Sequence, residues 1–346
     1  MMARRLPLSK ARRQAGLSLI ELMISITLGL LVLSGVLMVF VNTSASRNEV
    51  ERTSRQIENG RFAVELISTD LRLAGFYGEL DVAAVAAPAA VPADPCSLAA
   101  ANWNAWIPVH VQGFDNVGFA SANCALTNRK ANTDVLVVRR ARACAAGVAG
   151  CDAAIDDEAY VQVGLCADVV TSHRLGVRGV QAFDLQKKDC ATAGDLRQYL
   201  VHIYFVSTDN GSGVNVPTLK RLELKEGAFV STPLVEGIEE FQVEYGLDTD
   251  GDGAPDAYAA NPNDFPKGAC AGACPITNWL NTVTARIHLL ARNLETSPGY
   301  TDGKTYTLGD DIDGNPVTVT PGGAFRRHVY SSLVRIANAA GRRDKP

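Results

Sequence analysis

The chain has 346 residues, a net charge of −4, 47% hydrophobic residues and 20% charged residues. At about 150 residues per domain, this length allows about two domains. The composition excludes a collagen, a coiled-coil rod and a wholly disordered chain. The acidic balance excludes a globally basic nucleic-acid binder. A mean hydropathy of +0.03 is too low for a polytopic membrane protein and indicates one hydrophobic segment on a soluble body.

Residues 1–16 form a basic leader without acidic residues. Its charges are Arg4, Arg5, Lys10, Arg12 and Arg13. Residues 17–41 follow as an apolar run that is long enough, at about 37 Å as a helix, to cross a membrane. A basic flank predicts a cytoplasmic N-terminus and an exported body. The run is long for a conventional secretory signal, although small residues near Thr43 and Ala45 keep that alternative open.

The junction between leader and apolar run reads RRQAGLSLIE. It resembles the class III signal of type IV prepilins and pseudopilins. That resemblance implies cleavage by a prepilin peptidase after Gly16 and methylation of Leu17 as the new N-terminus. It also implies that Glu21 is the glutamate that the family places at the fifth mature position. Leucine instead of the usual phenylalanine at the first mature position is a departure from the family pattern.

Glu21 carries the single charge of the apolar run. An ionised carboxylate in such a segment costs several kcal/mol unless it is paired, and the run contains no basic residue. We therefore expect a cation from another chain. In the pilin family this cation is the N-terminal amine of a neighbouring subunit. The alternative is that Glu21 lies near the lipid headgroups and is solvated.

Residues 42–78 are predicted to continue the helix as an amphipathic segment. No proline interrupts the segment before the glycines at 75 and 78, and apolar residues recur every seven positions. The stripe consists of Val50, Ile57, Val64 and Leu71, with Ile67 and Ala74 beside it. One helix of about 58 residues then covers both halves. The alternative is a membrane helix followed by an unrelated second helix.

Three further blocks narrow the resemblance to minor pilins of the PilW type. They lie at residues 56–78, 233–246 and 326–330. The resemblance implies a minor pilin without catalytic activity that primes or supports type IV pilus assembly at or near the pilus tip. It implies partnership with other minor pilins, the major pilin, prepilin peptidase, the inner-membrane assembly platform and, as an option, a tip adhesin.

The same resemblance implies a location. The chain would cross the inner membrane once, with a periplasmic body, and would then enter the extracellular pilus. The nearest alternative is a minor pseudopilin of a type II secretion system, which is processed identically. Less favoured alternatives are an N-terminally anchored periplasmic enzyme and a DNA-uptake pilin.

The body, residues 79–346, is predicted to be rich in strands. Runs with period-two alternation or many β-branched and aromatic residues indicate strands. They lie at 133–139, 160–164, 178–185, 199–206, 218–224, 239–246, 282–291 and 325–336. No regular alternation of strands and helices is visible. The expected fold is therefore α+β and pilin-like, with a long N-terminal helix packed on a mainly antiparallel sheet with disulfide-stapled loops.

Eight cysteines lie on the predicted exported side. They are Cys96, Cys124, Cys144, Cys151, Cys166, Cys190, Cys270 and Cys274. An oxidising compartment permits up to four disulfides among 105 possible connectivities. The clustering of six cysteines predicts a stapled insertion over 96–190. The spacing makes Cys144 with Cys151, and Cys270 with Cys274, plausible local pairs, whereas the spacing of a zinc ribbon is absent.

Residues 248–256, DTDGDGAPD, are the best metal candidate. Asp248, Asp250 and Asp252 alternate ahead of Gly253, as in the opening of a calcium loop, and Asp256 is a fourth candidate ligand. The position where an EF-hand needs a bidentate glutamate is Ala259, so a complete EF-hand is excluded. We expect calcium here, with an acidic turn as the alternative. A weaker cluster comprises Asp310, Asp311, Asp313, Gly314 and Asn315.

Motifs for catalysis are scarce in this chain. The five histidines show no HExxH spacing, and neither GxSxG nor GxGxxG occurs. We interpret His202 and His288, which lie inside predicted strands, as structural. Apart from calcium, the sequence predicts no cofactor.

Overall fold

The chain divides into an N-terminal unit, Met1–Glu51, and a larger unit, Arg52–Pro346. A computed structural model describes residues 16, 18–116, 118–168 and 170–343. Its α-helices are α1 (Leu19–Leu73), α2 (Ala100–Ala105), α3 (Cys274–Leu280) and α4 (Ala337–Gly341). Two short 3₁₀ helices cover Val82–Ala84 and Pro262–Asp264. The single long helix predicted from the sequence is therefore confirmed.

The N-terminal unit presents its apolar side chains outward. Every large apolar residue of α1 from Leu19 to Val41 is between 48% and 78% exposed. By length and composition this helix is able to cross a membrane. So much contiguous apolar surface requires a cover of lipid or of other apolar helices.

The larger unit is built from antiparallel sheets. A seven-stranded sheet has the order β1-β2-β5-β3-β4, and β6 pairs with β5 and with β7. A four-stranded sheet has the order β13-β10-β8-β9, and β11 and β12 form a hairpin. The strands are β1 (Val111–Phe114), β2 (Val135–Ala141), β3 (Ala159–Val163), β4 (His173–Val177), β5 (Leu196–Ser207), β6 (Thr218–Lys225), β7 (Ala228–Glu236), β8 (Ile238–Leu247), β9 (Ala257–Ala259), β10 (Thr282–Arg292), β11 (Tyr306–Asp310), β12 (Pro316–Val319) and β13 (Arg327–Arg335). The α+β, mainly antiparallel fold class is confirmed.

The central strands of the seven-stranded sheet are buried on both faces. Because side chains alternate along a strand, neighbouring residues of β5 enter different cores. Tyr204 and Val206 join the core that contains α1, whereas Val201, Ile203 and Phe205 join a second core with Trp103 of α2. Segment 96–190 therefore contributes four strands and part of the second core, in addition to its loops.

The buried face of α1 agrees with the predicted stripe at its C-terminal end only. Ile67, Leu71 and Ala74 are fully buried, as is Ala63 outside the stripe, whereas Ile57 is 43% and Val50 63% exposed. Gly60 explains the shift, because a Cβ atom there would overlap the ring of Tyr330. Small residues at 60 and 63 let the helix approach the sheet closely, so the face with the smallest side chains is buried.

Two errors in the strand prediction have local causes. The predicted strand 178–185 is wrong, because β4 ends at Val177 and the chain turns at Gly179, whose φ is +92°. Strand β7 was missed, because it is an exposed edge strand that contains Pro233 and lacks a buried alternating face.

All eight cysteines form disulfides, and they pair in sequence order, the first with the second, the third with the fourth, and so on. The pairs are Cys96–Cys124, Cys144–Cys151, Cys166–Cys190 and Cys270–Cys274. Both local pairs considered from spacing are present. Three of the bonds lie in the segment 96–190.

Candidate functional site

The start of α1 is closed by a capping box. The backbone N–H of Ser18 donates to Glu21 Oε2 at 3.1 Å, and the N–H of Glu21 donates to Ser18 Oγ at 3.5 Å. These reciprocal bonds satisfy two backbone donors that a helix start leaves open. The sequence analysis missed this role, although the S-x-x-E spacing is its signature. Within the described residues, the Glu21 carboxylate therefore has a neutral hydrogen-bond donor but no cation.

Gly16 is the described side of the predicted cleavage junction. It is exposed, and an added Cβ atom would meet nothing within 4 Å. Leu17 and the leader 1–15 lie outside the described residues. An exposed glycine at this point is compatible with access by a peptidase.

The C-terminal part of α1 is anchored to the body by Asp70. Asp70 Oδ1 accepts a hydrogen bond from Arg140 Nε at 2.5 Å. Its Oδ2 accepts from the hydroxyl of Tyr204 at 3.0 Å and lies 2.8 Å from His202 Nδ1. Arg140 belongs to β2, and the other two partners belong to β5. One carboxylate therefore joins the helix to two neighbouring strands of the seven-stranded sheet.

The Asp70 cluster is charged although it is buried. Burial raises the pKa of Asp70, but His202 and Arg140 outweigh burial and lower the pKa from 3.8 to about 2. A buried carboxylate that keeps its charge needs such partners, because desolvation of an unpaired ion costs several kcal/mol. The interpretation of His202 as structural agrees with this contact.

Polar side chains also fasten α1 to strand backbones. Gln56 Nε2 donates to the carbonyl oxygens of Ala291 and Arg326, at 2.7 and 3.1 Å. Asn59 Nδ2 donates to the carbonyl oxygen of Glu236 at 3.1 Å. Because these contacts fix the helix along its axis, they add positional specificity to the apolar packing.

The acidic loop after β8 is organised around Asp248. Its carboxylate accepts hydrogen bonds from the backbone N–H groups of Gly251 at 2.6 Å and Gly253 at 3.0 Å. Arg343 Nη1 lies 3.3 Å from Asp248 Oδ2. Burial raises the pKa of Asp248, but these N–H groups and the guanidinium hold it below its usual value. Asp248 therefore shapes the loop as well as offering oxygen ligands.

Three of the four predicted metal ligands converge. One carboxylate oxygen each from Asp248, Asp250 and Asp252 lie within 4.8 Å of one another. Oxygens that share a calcium ion at about 2.4 Å have comparable separations. Asp256 Oδ2 instead accepts hydrogen bonds from the backbone N–H and the hydroxyl of Thr249, both at 2.7 Å. The loop thus presents three carboxylates, with the fourth used to hold the turn.

The remaining candidate residues take part in other contacts. In the hairpin turn between β11 and β12, Asp311 accepts backbone N–H groups, and Asp313 pairs with Lys267. His288 is held across three strands, with Nε2 2.9 Å from Glu244 and Nδ1 2.8 Å from Ser331. Both ring nitrogens are engaged, as expected for a structural histidine.

Comparison with known proteins agrees with this geometry at both ends of the chain. A family model described as the prokaryotic N-terminal methylation motif matches residues 11–37. A family model described as type IV pilus-assembly protein W matches residues 203–338. No curated protein and no solved structure matches the chain.

The methylation motif, the apolar helix and the α+β body are features of type IV pilins. The second match, over residues 203–338, supports a type IV pilin of the PilW type with a class III signal. Membership in this class implies interaction with pilus components, and the apolar helix is consistent with membrane anchoring. Proteins of this type are in general not enzymes. The W-type match runs from β5 to α4, so segment 96–190 lies outside it.

We expect the Asp70 cluster to make stability depend on acid. The folded pKa of about 2 lies below the ordinary 3.8, so the contribution is complete above pH 4 and is lost as the pH falls towards 2. It amounts to about 2 kcal/mol. Asp70→Asn should cost about 3–5 kcal/mol at neutral pH, because Arg140 loses its buried partner, and should reduce the acid dependence.

Chemical unfolding of the full-length chain in detergent, followed by tryptophan fluorescence between pH 2 and pH 7, measures both effects. Glu58→Gln is the matched control, since Glu58 is an exposed carboxylate on the same helix. An Asp70→Asn variant that is as stable as the control would contradict the anchoring role.

Proposed function

We propose that the chain is a minor pilin that primes or supports assembly of the type IV pilus and is incorporated at or near its tip. The prepilin motif at the head of an exposed apolar helix carries this proposal. A pilin helix of this kind leaves the lipid and packs with other pilin helices, which would cover the same apolar surface. The chain itself performs no catalysis in this role.

Position and partners follow from the same reasoning. A body that extends from residue 52 to the C-terminus is bulky for a tight helical repeat, so the end of the filament accommodates it most easily. The partners are other minor pilins, the major pilin, prepilin peptidase and the assembly platform, with a tip adhesin as an optional one. The N-terminus is cytoplasmic, and the body is periplasmic before assembly. The match to a pilus-assembly family favours the pilus over a type II secretion system.

Cleavage after Gly16 is the first expected outcome. Mass spectrometry of the membrane-extracted protein should find Leu17 as a methylated N-terminus, because Gly16 is exposed and the leader is basic. Replacement of Gly16 by tryptophan should leave the leader attached, whereas Gly16→Ala should be cleaved better. Cleavage near Ala45 in cells with active prepilin peptidase would contradict the pilin assignment.

Glu21 is proposed to pair with the N-terminal amine of a neighbouring subunit. The structure gives its carboxylate a neutral donor, Ser18 N–H, and no cation among the described residues. The negative charge therefore remains available to another chain. Two effects have to be separated, because neutral substitutions of Glu21 remove the charge and some of them also remove the cap.

Glu21→Gln and Glu21→Val separate the charge from the cap. Glutamine keeps the capping box but loses the charge, whereas valine loses both. If the charge binds a partner amine, both variants should insert into the membrane but be depleted from sheared pili, measured against the major pilin by quantitative mass spectrometry.

Full incorporation of Glu21→Gln, with loss of Glu21→Val, would assign Glu21 to capping alone. Absence of the unmodified chain from sheared pili would contradict the minor-pilin function. A deletion that blocks protein secretion and leaves pili intact would favour the pseudopilin alternative.

We also propose that the acidic loop binds calcium. The convergence of oxygens from Asp248, Asp250 and Asp252 supports this site. Three carboxylates at such short separations repel one another, and a divalent cation would relieve the repulsion. Main-chain carbonyls and water would supply the remaining ligands of a coordination number of about 6–8.

Calcium should raise the melting temperature of the full-length chain in detergent. Binding to the folded state alone adds about 2.7 kcal/mol at a hundredfold excess over Kd, and magnesium should add less because it dehydrates reluctantly. Asp250→Asn should abolish the shift, and Asp311→Asn is the matched control. A melting temperature indifferent to millimolar calcium would leave an acidic turn held by Asp248. Asp248 itself is unsuitable for the test, because its loss would disrupt the loop directly.

A further inference from the structure

A fully buried arginine lies in the second core without an acidic partner among the described residues. Arg139 of β2 is 0% exposed, and a guanidinium stays protonated in proteins. Its Nη1 donates to the carbonyl oxygen of Val109 at 3.3 Å, and its Nη2 donates to Gln112 Oε1 at 2.9 Å. Both acceptors are neutral. The described part of the chain therefore leaves one positive charge in this core without a counter-charge.

Three buried polar atoms of the same core have no hydrogen-bond partner in the described structure. They are Arg139 Nε, the hydroxyl oxygen of Tyr77 and the hydroxyl oxygen of Tyr199. Tyr77 lies in the turn after α1, and Tyr199 lies on β5. Each of the three atoms carries a hydrogen that it is able to donate. Because a buried polar group without a partner is costly, three such donors in one core call for an acceptor.

Strand register and ring contacts bring these donors together. Arg139 lies opposite Val201, and Tyr199 is two residues from Val201 on the same face of β5, within reach of a long side chain. The rings of Tyr77 and Tyr199 stack with their centroids 6.3 Å apart. The Arg139 guanidinium lies 5.5 Å from the ring centroid of Trp106. Burial raises the pKa of both tyrosines, and the nearby guanidinium acts in the opposite direction.

The chemistry of the three donors favours a small monovalent anion. All three atoms donate, and the full charge among them is positive. One negative charge balances one guanidinium, in agreement with the rule that buried charges are paired. The surroundings are apolar, with Trp103, Val137 and Val201 in the same core. A doubly charged anion would keep uncompensated charge in these surroundings, at a high desolvation cost.

We propose that Arg139, Tyr77 and Tyr199 bind a chloride ion inside the second core. The ion accepts hydrogen bonds from the guanidinium and from the two hydroxyls. Because Tyr77 follows α1 whereas the other two residues lie on β2 and β5, the ion ties the end of the helix to the sheet. Arg140, which holds Asp70, is the next residue of β2 and points to the opposite face. The helix end is thus fastened on both faces of one strand.

Thermal unfolding of the full-length chain in detergent, followed by calorimetry, tests this proposal. Sodium chloride is replaced stepwise by sodium gluconate at constant ionic strength, because gluconate is too large to replace a buried halide. Binding to the folded state alone should raise the folding equilibrium constant about tenfold for each tenfold rise in chloride above Kd. Unfolding that does not depend on chloride would overturn the proposal.

Phenylalanine substitutions distinguish an anion site from hydroxyls that are merely unsatisfied. Tyr77→Phe and Tyr199→Phe each remove a hydrogen bond to the ion and should lower the folding equilibrium constant in chloride about fivefold. Tyr245→Phe is the matched control, because its hydroxyl is also buried without a described partner. That hydroxyl lies in the field of Asp134 and Asp115, which repel an anion, so the chloride dependence should not change. Greater stability of Tyr77→Phe and Tyr199→Phe in chloride would overturn the proposal.

Bromide locates the ion directly. It has the charge of chloride and scatters X-rays anomalously, so crystals of the full-length chain grown in bromide should show a peak between the guanidinium and the two hydroxyls. Arg139→Gln should remove both the peak and the chloride dependence, and the tyrosine variants decide the question if this variant does not fold. A loss of stability in those variants that is equal in chloride and in gluconate would indicate bound water. Bromide peaks at the protein surface alone would indicate an adventitious ion only, and either result would overturn the proposal.

Discussion

The buried carboxylate of Asp70 is the contact on which the attachment of α1 to the body depends. Apolar packing by Ala63, Ile67 and Leu71 supplies buried area, but the hydrophobic effect itself is non-directional. Asp70 adds direction, because its two oxygens must meet partners on β2 and β5 at the same time. Those strands lie at the centre of the seven-stranded sheet. Any displacement of the helix end would leave a charge unpaired in the interior, at a cost of several kcal/mol.

The same helix meets two different requirements along its length. Its first part exposes a continuous apolar surface, and its last part uses small and polar residues to approach a sheet. Gly60 shows the difference, because it lowers helix propensity by about 1 kcal/mol relative to alanine yet makes room for the ring of Tyr330. A position that helix propensity alone marks as unfavourable is therefore a point of close contact. Gln56 and Asn59 then complete the attachment through strand carbonyls.

Features with local signals could be predicted from the sequence, and features made by distant residues could not. The long helix, the strands β2, β5, β8 and β10 and two disulfides have periodicity or spacing that a single stretch reveals. Asp70 contacts Arg140 and His202, which lie 70 and 132 positions further along the chain. No local sequence pattern near Asp70 therefore predicts the cluster. The capping box of Ser18 and Glu21 was predictable, and it was missed because the unpaired charge alone was considered. The error at 178–185 arose because alternation there continues through a turn that Gly179 makes.

The order of the disulfides has a consequence for how the body matures. The cysteines form four consecutive pairs along the chain, at separations of 28, 7, 24 and 4 residues. If the body is exported in sequence order, starting from the end next to α1, each cysteine meets its native partner before any unpaired competitor has emerged. Oxidation in that order yields the correct pairs without later exchange, so the body requires an oxidant more than an isomerase. No bond reaches α1, which contains no cysteine, and the helix end therefore stays on the body by reversible contacts alone.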